Sequence, residues 1–307
     1  MVLKKVFIDA KQYIKLSFKR DSKFIIAFSF IFFAVSILSD LFLESFLSII
    51  VTIVAALVLP IVTIGYAYIS DREVNGKEVL PRFFYSGFLN YSMSISIATS
   101  VILGPILFLI LGGLVGAIIS GLIMSGIITS KSPDIIVQLM NLESIDQGME
   151  LISSLPYIDT LAIFSDEFIL LCGLLFVGIF SLKNIYTPYI KFNSGFNVFV
   201  CSNESKEFYR SNSKQIRTIN ILFMMFLFIV YSLDIVLLFF LTKLELNNVI
   251  IYTIIDLIKS LLIGFGLYYY LFVVASSYKI YLSDFIKDKN ENFLKVIELA
   301  QQNKNKL

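Results

Sequence analysis

Asp234, Asp256 and Lys259 stand inside runs of otherwise apolar residues, and they are the groups in this sequence best placed to do chemistry. Asp256 and Lys259 are i, i+3 neighbours, on one face of any helix that contains them. Two acids and one base brought together could relay a proton, hold an ion, or face a charged solute. They could equally form an ion pair that only fixes packing. Tyr231 shares a helical face with Asp234, and Tyr252, Ser260 and Gly264 share a stripe with Asp256 and Lys259. Other chemistry finds little support. The chain has no histidine, which removes the commonest general base, metal ligand and pH switch. Its two cysteines, Cys172 in an apolar run and Cys201 in a polar loop, make neither a zinc site nor a disulfide framework. Gly65, Gly76 and the scattered serines spell no phosphate loop or nucleophile elbow. No basic patch interleaved with aromatics points to nucleic acid. The reading is a chain with no catalytic residue, no metal and no cofactor.

The elements that carry these groups follow from composition. Hydrophobic residues make up 57% of the 307 and charged residues 16%, against roughly 25% charged in ordinary soluble domains. The apolar residues lie in long runs that are mostly not amphipathic. A membrane-spanning helix needs about 20 such residues. The sequence therefore predicts an all-α, polytopic transmembrane helical bundle with about six spans, at 24–39, 46–69, 92–128, 168–190, 219–241 and 249–278. The first run, behind a long basic segment and lacking a cleavage site, reads as an uncleaved span rather than a signal peptide. The whole of 1–282 reads as a single transmembrane domain, with 283–307 a basic cytoplasmic tail.

Lysine and arginine fix the orientation. Alternate connecting segments hold 22 and 2 of the 25 basic residues, with Lys259 left inside the last span. The positive-inside rule then places both termini in the cytoplasm of a plasma-membrane protein. The run 92–128 is too long for one straight crossing of a ~30 Å core. A second crossing there would invert every later segment. One bent helix with Gly104-Pro105 at the bend keeps the asymmetry, and so does a re-entrant hairpin.

With this topology Asp234, Asp256 and Lys259 lie at similar depth, about 10 to 15 Å below the outer boundary. An unpaired charge there costs on the order of 3 kcal/mol or more. The fifth and sixth spans are joined by a short turn, so both polar stripes are expected to face inward, with Lys259 shared by the two carboxylates. Small residues mark a second contact. Gly112, Gly116 and Ser120 form one ridge of the third span, and Gly113, Ala117, Gly121 and Ser125 the next. Such ridges allow close helix approach, either within the chain or to a second copy as a homodimer.

Residues 129–167 form an external segment with seven carboxylates and one lysine. Ser132-Pro133-Asp134 reads as a helix start, Ser144 with Gln147 as a capping box, and Ser165-Asp166-Glu167 as the start of the fourth span. Ile135, Ile136, Leu139, Met140 and Leu142 give a short helix an apolar face, so the segment is expected to cap the bundle. On the cytoplasmic side, basic amphipathic segments at 5–20, 79–91 and 195–216 precede the three outward spans. The first places Val6, Phe7, Ala10, Tyr13, Ile14 and Phe18 at helical spacing. These segments are expected to lie against anionic lipid headgroups. Tryptophan is absent, so an aromatic belt would rest on the 16 tyrosines.

The opening Val6-Phe7-Ile8-Asp9-Ala10-Lys11-Gln12-Tyr13, then Asp21, Gly65-Tyr66, Gly76, Leu80-Pro81-Arg82-Phe83 and Gly87, resembles a family of multi-spanning membrane proteins abundant in methanogenic archaea. The resemblance covers roughly the first 110 residues. Members often carry an acidic stretch after the Leu-Pro, where this chain has Arg82-Phe83-Phe84-Tyr85. The resemblance implies an archaeal plasma membrane and assigns no catalytic residues. The sequence thus points to a non-enzymatic protein, transporter-like or membrane-organising, or to a structural subunit of a membrane complex. An intramembrane enzyme acting on lipid would need a nucleophile or metal site that the residues do not offer.

Overall fold

The computed structural model describes residues 2–41, 61–80, 82–83, 86–89, 91–132, 134, 145–155, 157–243 and 249–304. Among them every regular element is helical, and there is no strand. The helices are α1 (Val2–Leu41), α2 (residues 61–74), α3 (Ser86–Leu89), α4 (Tyr91–Lys131), α5 (Ile145–Ser153), α6 (Ile158–Phe176), α7 (Thr187–Ser194), α8 (Val198–Ser211), α9 (Ser213–Lys243) and α10 (Val249–Lys304). Four helical stretches are long and apolar enough to cross a membrane: Ser92–Lys131, Thr160–Ser194, Ser213–Leu237 and Ile250–Leu282. They match the third to sixth expected spans. A shorter apolar stretch, Ile25–Ala34, lies within the first. Most of the second expected span, the apolar face at 135–142, Pro133, Ser144 and the turn at 244–248 lie outside the described residues.

Run 92–128 is one continuous helix, α4, with Pro105 inside it. Proline removes one backbone donor and crowds the preceding turn, a cost that apolar spanning helices tolerate. Two of the serines that open the run are satisfied by their own helix. Ser96 Oγ donates to Ser92 O at 3.0 Å and Ser100 Oγ to Ile97 O at 2.8 Å, so their hydroxyls do not need water.

The fourth expected span is not a plain α-helix. After Phe176 the chain runs through a π turn at Val177–Ser181 and a 3-10 turn at Leu182–Asn184 before α7. Side chains meet the backbone groups near this break. Asn184 Nδ2 donates to Ser100 O at 2.7 Å, and Ser205 Oγ donates to Lys183 O at 2.9 Å. The helix also begins earlier than Ser165-Asp166-Glu167 indicated, at Ile158. Ser165 is instead a contact residue, its Oγ 3.0 Å from that of Ser120.

The chain divides into two compact units. The first comprises Met1–Ile102, Lys183–Asn220 and Ser260–Leu307. Its core is unusually rich in tyrosine. Tyr66, Tyr186, Tyr189, Tyr268 and Tyr270 are buried together with Phe208 and Phe272. The ring of Tyr186 lies 4.7 Å from Phe208 and 6.0 Å from Tyr278. Buried phenols need partners, and these have them. Tyr186 OH lies 2.8 Å from Ser277 Oγ, Tyr189 OH donates to Leu271 O at 3.0 Å, and Tyr270 OH donates to Asn220 Oδ1 at 2.8 Å.

The basic amphipathic segments supply much of this core. Val6 and Ala10 of α1 are fully buried, as are Cys201 and Phe208 of α8. Cys201 therefore sits in a helix and not in a polar loop. Part of the stripe at 5–20, Val6 and Ala10, is thus turned toward protein, while Phe18 is 43% exposed.

The second unit comprises Leu103–Leu182 and Ile221–Lys259. Within it α6 packs closely on α4 through glycine. A Cβ on Gly112 would lie 2.7 Å from Cys172 O and 2.7 Å from Phe176 Cβ, and one on Gly116 would lie 2.9 Å from Ile169 Cα. The expected ridge Gly112, Gly116, Ser120 is thus an internal contact. On the neighbouring ridge, Gly113 is in ordinary contact with Ile169, Gly121 meets nothing within 4 Å, and Ala117 and Ser125 are exposed.

Candidate functional site: a buried ion cluster

Asp234 is carried by α9, and Asp256 and Lys259 by α10. Lys259 Nζ donates to Asp234 Oδ2 at 2.7 Å and to Asp256 Oδ1 at 2.7 Å. One ammonium is therefore shared by two carboxylates, the arrangement that depth and spacing implied. The i, i+3 offset sets Asp256 beside Lys259, and α9 delivers Asp234 from across the helix pair. The side chains of Lys259, Asp234 and Asp256 are 16%, 10% and 20% exposed, respectively. Charge-assisted contacts of this length are strong where water is scarce. The formal charge of the trio is −1 when all three are ionised. Asp234 Oδ1 is buried and has no hydrogen-bond partner among the described residues. Tyr231 lies on the same helix as Asp234 and is 38% exposed. Tyr252 and Ser260 lie on the same helix, half-buried and buried. Gly264 serves another contact, since a Cβ there would sit 3.2 Å from Ser29 Cβ of α1.

A further acid enters the second unit from α6. Ser232 Oγ donates to Glu167 Oε2, while Glu167 Oε1 is buried without a partner among the described residues. The sequence offered Glu167 only as part of a helix start. Its place at the polar edge of an apolar run concealed it.

The first unit holds a second buried polar network that sequence reasoning missed. Asp21 of α1 is fully buried. Arg20 grips it twice, Nε to Oδ1 at 2.6 Å and Nη2 to Oδ2 at 3.0 Å, and Nη2 also reaches Glu73 Oε2 at 3.1 Å. Tyr268 OH donates to Asp21 Oδ2 at 2.6 Å and lies 3.0 Å from Ser17 Oγ. The carboxylates hold the Arg20 guanidinium well above its ordinary range, against an opposing cost of burial. Nearby, Asp71 of α2 is buried and accepts at Oδ1 from Asn193 Nδ2 at 2.8 Å and Asn75 Nδ2 at 3.1 Å. Burial raises its carboxyl above the usual range, opposed by Asn193, Lys77, Arg72 and Asn75. Lys279 Nζ closes the end of α2, donating to Val74 O at 2.5 Å, as a cation suits a helix C-terminus.

Among the described residues no group of three His, Cys, Asp or Glu is placed to hold a metal ion. The chain matches no protein-family model, no curated protein and no solved structure.

Proposed function

We propose that this chain is a non-enzymatic, transporter-like protein of the plasma membrane, and that the Asp234–Lys259–Asp256 trio is its proton- or ion-handling site. The observation that carries the reading is the sharing of one ammonium by two carboxylates inside apolar helices, with Asp234 Oδ1 left as an unpaired acceptor among the described residues. Such a site sits one proton or one cation away from neutrality. An ionisable group within a spanning helix is costly, and transport pathways are where that cost is commonly met. The proposed topology has about six spans and both termini in the cytoplasm, supported by the 22-to-2 partition of basic residues. The basic segments face anionic lipid on that side.

The test is proton and cation flux into proteoliposomes for the native protein, Asp234→Asn and Asp256→Asn, each checked for folding. The expected result is flux in the native protein that falls at least tenfold in a well-folded variant. Absence of flux in every form, with the variants only less stable, would sink the transport reading. It would favour the second reading, a structural subunit of a membrane complex in which Lys259 joins α9 to α10. The direct contact of Lys259 with both acids is the observation that favours that alternative.

A further inference from the structure

The elbow between α7 and α8 leaves large apolar side chains bare. Phe196 is 58% exposed, Phe199 73% and Val200 43%. Phe199 and Val200 lie in the first turn of α8, and Phe196 lies in the elbow just before its cap. The elbow is tightly built. Gly195 has φ +71, where a side chain would be strained, and its N–H donates to Lys191 O at 3.1 Å. Lys191 Nζ donates to Gly195 O at 3.2 Å and Phe196 O at 2.6 Å. Asn197 caps α8 by accepting from Phe199 N at 2.9 Å. Cys201, Ser205 and Phe208 hold the opposite face of α8 in the core of the first unit. The phenylalanines are thus fixed outward and cannot fold back.

We propose that Phe196, Phe199 and Val200 form a wedge that inserts into the lipid leaflet on the basic side of the protein, at the level of the headgroups and upper acyl chains. The assignment rests on the membrane reading above, and on continuity along the chain. Phe196 lies just beyond the candidate span Thr160–Ser194, and the next candidate span starts at Ser213. Residues 195–212 therefore join two spans on one side and run along the bilayer surface. The apolar face lies at the end nearest the first span. The exposed cations Arg210, Lys214 and Arg217 lie toward the other end, where phosphates would meet them. An apolar patch at one end of a surface segment, with cations at the other, suits the boundary layer of a bilayer. The face of α8 that carries Cys201, Ser205 and Phe208 is buried in protein, so the lipid contact falls on residues outside it.

The chain contains no tryptophan, so a single Phe199→Trp substitution reports depth without background. The substitution is made in the full chain in proteoliposomes of mixed neutral and anionic phospholipid, with Phe196→Trp as a second site in case one change disturbs the fold. Ile118→Trp, at a 66% exposed position in α4, is the membrane control. The expected result is blue-shifted indole emission from the F199W protein that falls at least twofold with lipids brominated near the glycerol backbone and resists aqueous acrylamide. Emission from the F199W protein quenched by acrylamide and not by bromolipid, with the control quenched by bromolipid, would overturn the wedge alone. Shielding from both quenchers would overturn it in favour of a protein contact. A control that bromolipid does not quench would overturn the membrane reading itself.

Discussion

Asp71 and Asp234 are both buried carboxylates, yet only one of them could be found from its neighbours in sequence. Asp234 sits among leucine, isoleucine and valine, so its burial and its need for a partner follow from the run that contains it. Asp71 sits in Ser70-Asp71-Arg72-Glu73, which reads as a solvated stretch. It is buried in the fold, where Asn193 of α7 arrives beside it, and no local pattern announces that approach. The same holds for Asp21, whose partner Tyr268 comes from α10, and for Arg20, whose second carboxylate, Glu73, comes from α2. Asp71 has a consequence for pH. Its carboxyl titrates above the usual range when folded, so the folded state binds more protons than the unfolded one between those two values. Its contribution to stability is therefore full below the ordinary carboxylate range, about pH 4, and is lost as pH rises through the folded value. Asp71→Asn keeps an oxygen to accept from Asn193 and Asn75. Thermal unfolding in detergent, followed from about pH 4 to pH 7, is expected to show a flatter profile for this variant and equal or higher stability at neutral pH. A variant that is less stable at neutral pH would show that the ionised form is preferred.

Along the helices, the small-residue ridges of α4 were plain in the sequence, but the ridge that does the packing was not. Two adjacent ridges one residue apart look alike until a partner is present. The backbone of α6 chooses Gly112 and Gly116. Two substitutions separate the ridges. Gly112→Ala forces a methyl group against backbone atoms of Cys172 and Gly173 and is expected to destabilise by about 1–3 kcal/mol. Gly121→Ala meets no atom within 4 Å and gains helix propensity, so it is expected to be neutral or stabilising by up to ~1 kcal/mol. Denaturation in mixed micelles checks both. Equal effects at the two positions would contradict the packing. The capping signals were less dependable, because Ser165-Asp166-Glu167 sits inside α6, where Ser165 and Glu167 make side-chain contacts and start no helix.

At the scale of the molecule, the all-helical class and the last four apolar stretches followed from hydropathy alone. The tyrosine-rich core of the first unit did not, since tyrosine near span ends reads first as a belt at the bilayer surface. Orientation is the part of the proposed architecture most open to a direct test. In a cysteine-free background, with Cys172→Ala and Cys201→Ser, single cysteines at Lys4 and Lys295 are expected to react with an impermeant maleimide only after cells are permeabilised. One at Ser154 is expected to react in intact cells. The reverse pattern would invert the topology and move the basic segments to the outer face.

The π turn in the fourth span has a bearing on phase. Within the second unit, the buried positions approaching the break fall in two rows with a spacing of four, Gly173, Val177 and Ser181 beside Leu174, Gly178 and Leu182. An unbroken α-helix advances about 400° over four residues, so each row would drift by about 80° from its first member to its last. The wider turn at Val177–Ser181 advances less per residue and offsets that drift. The π turn thus works as a phase correction along one face. Losing a single residue within it would rotate the positions that follow by about 100° and turn Ser181 and Leu182 off the buried face.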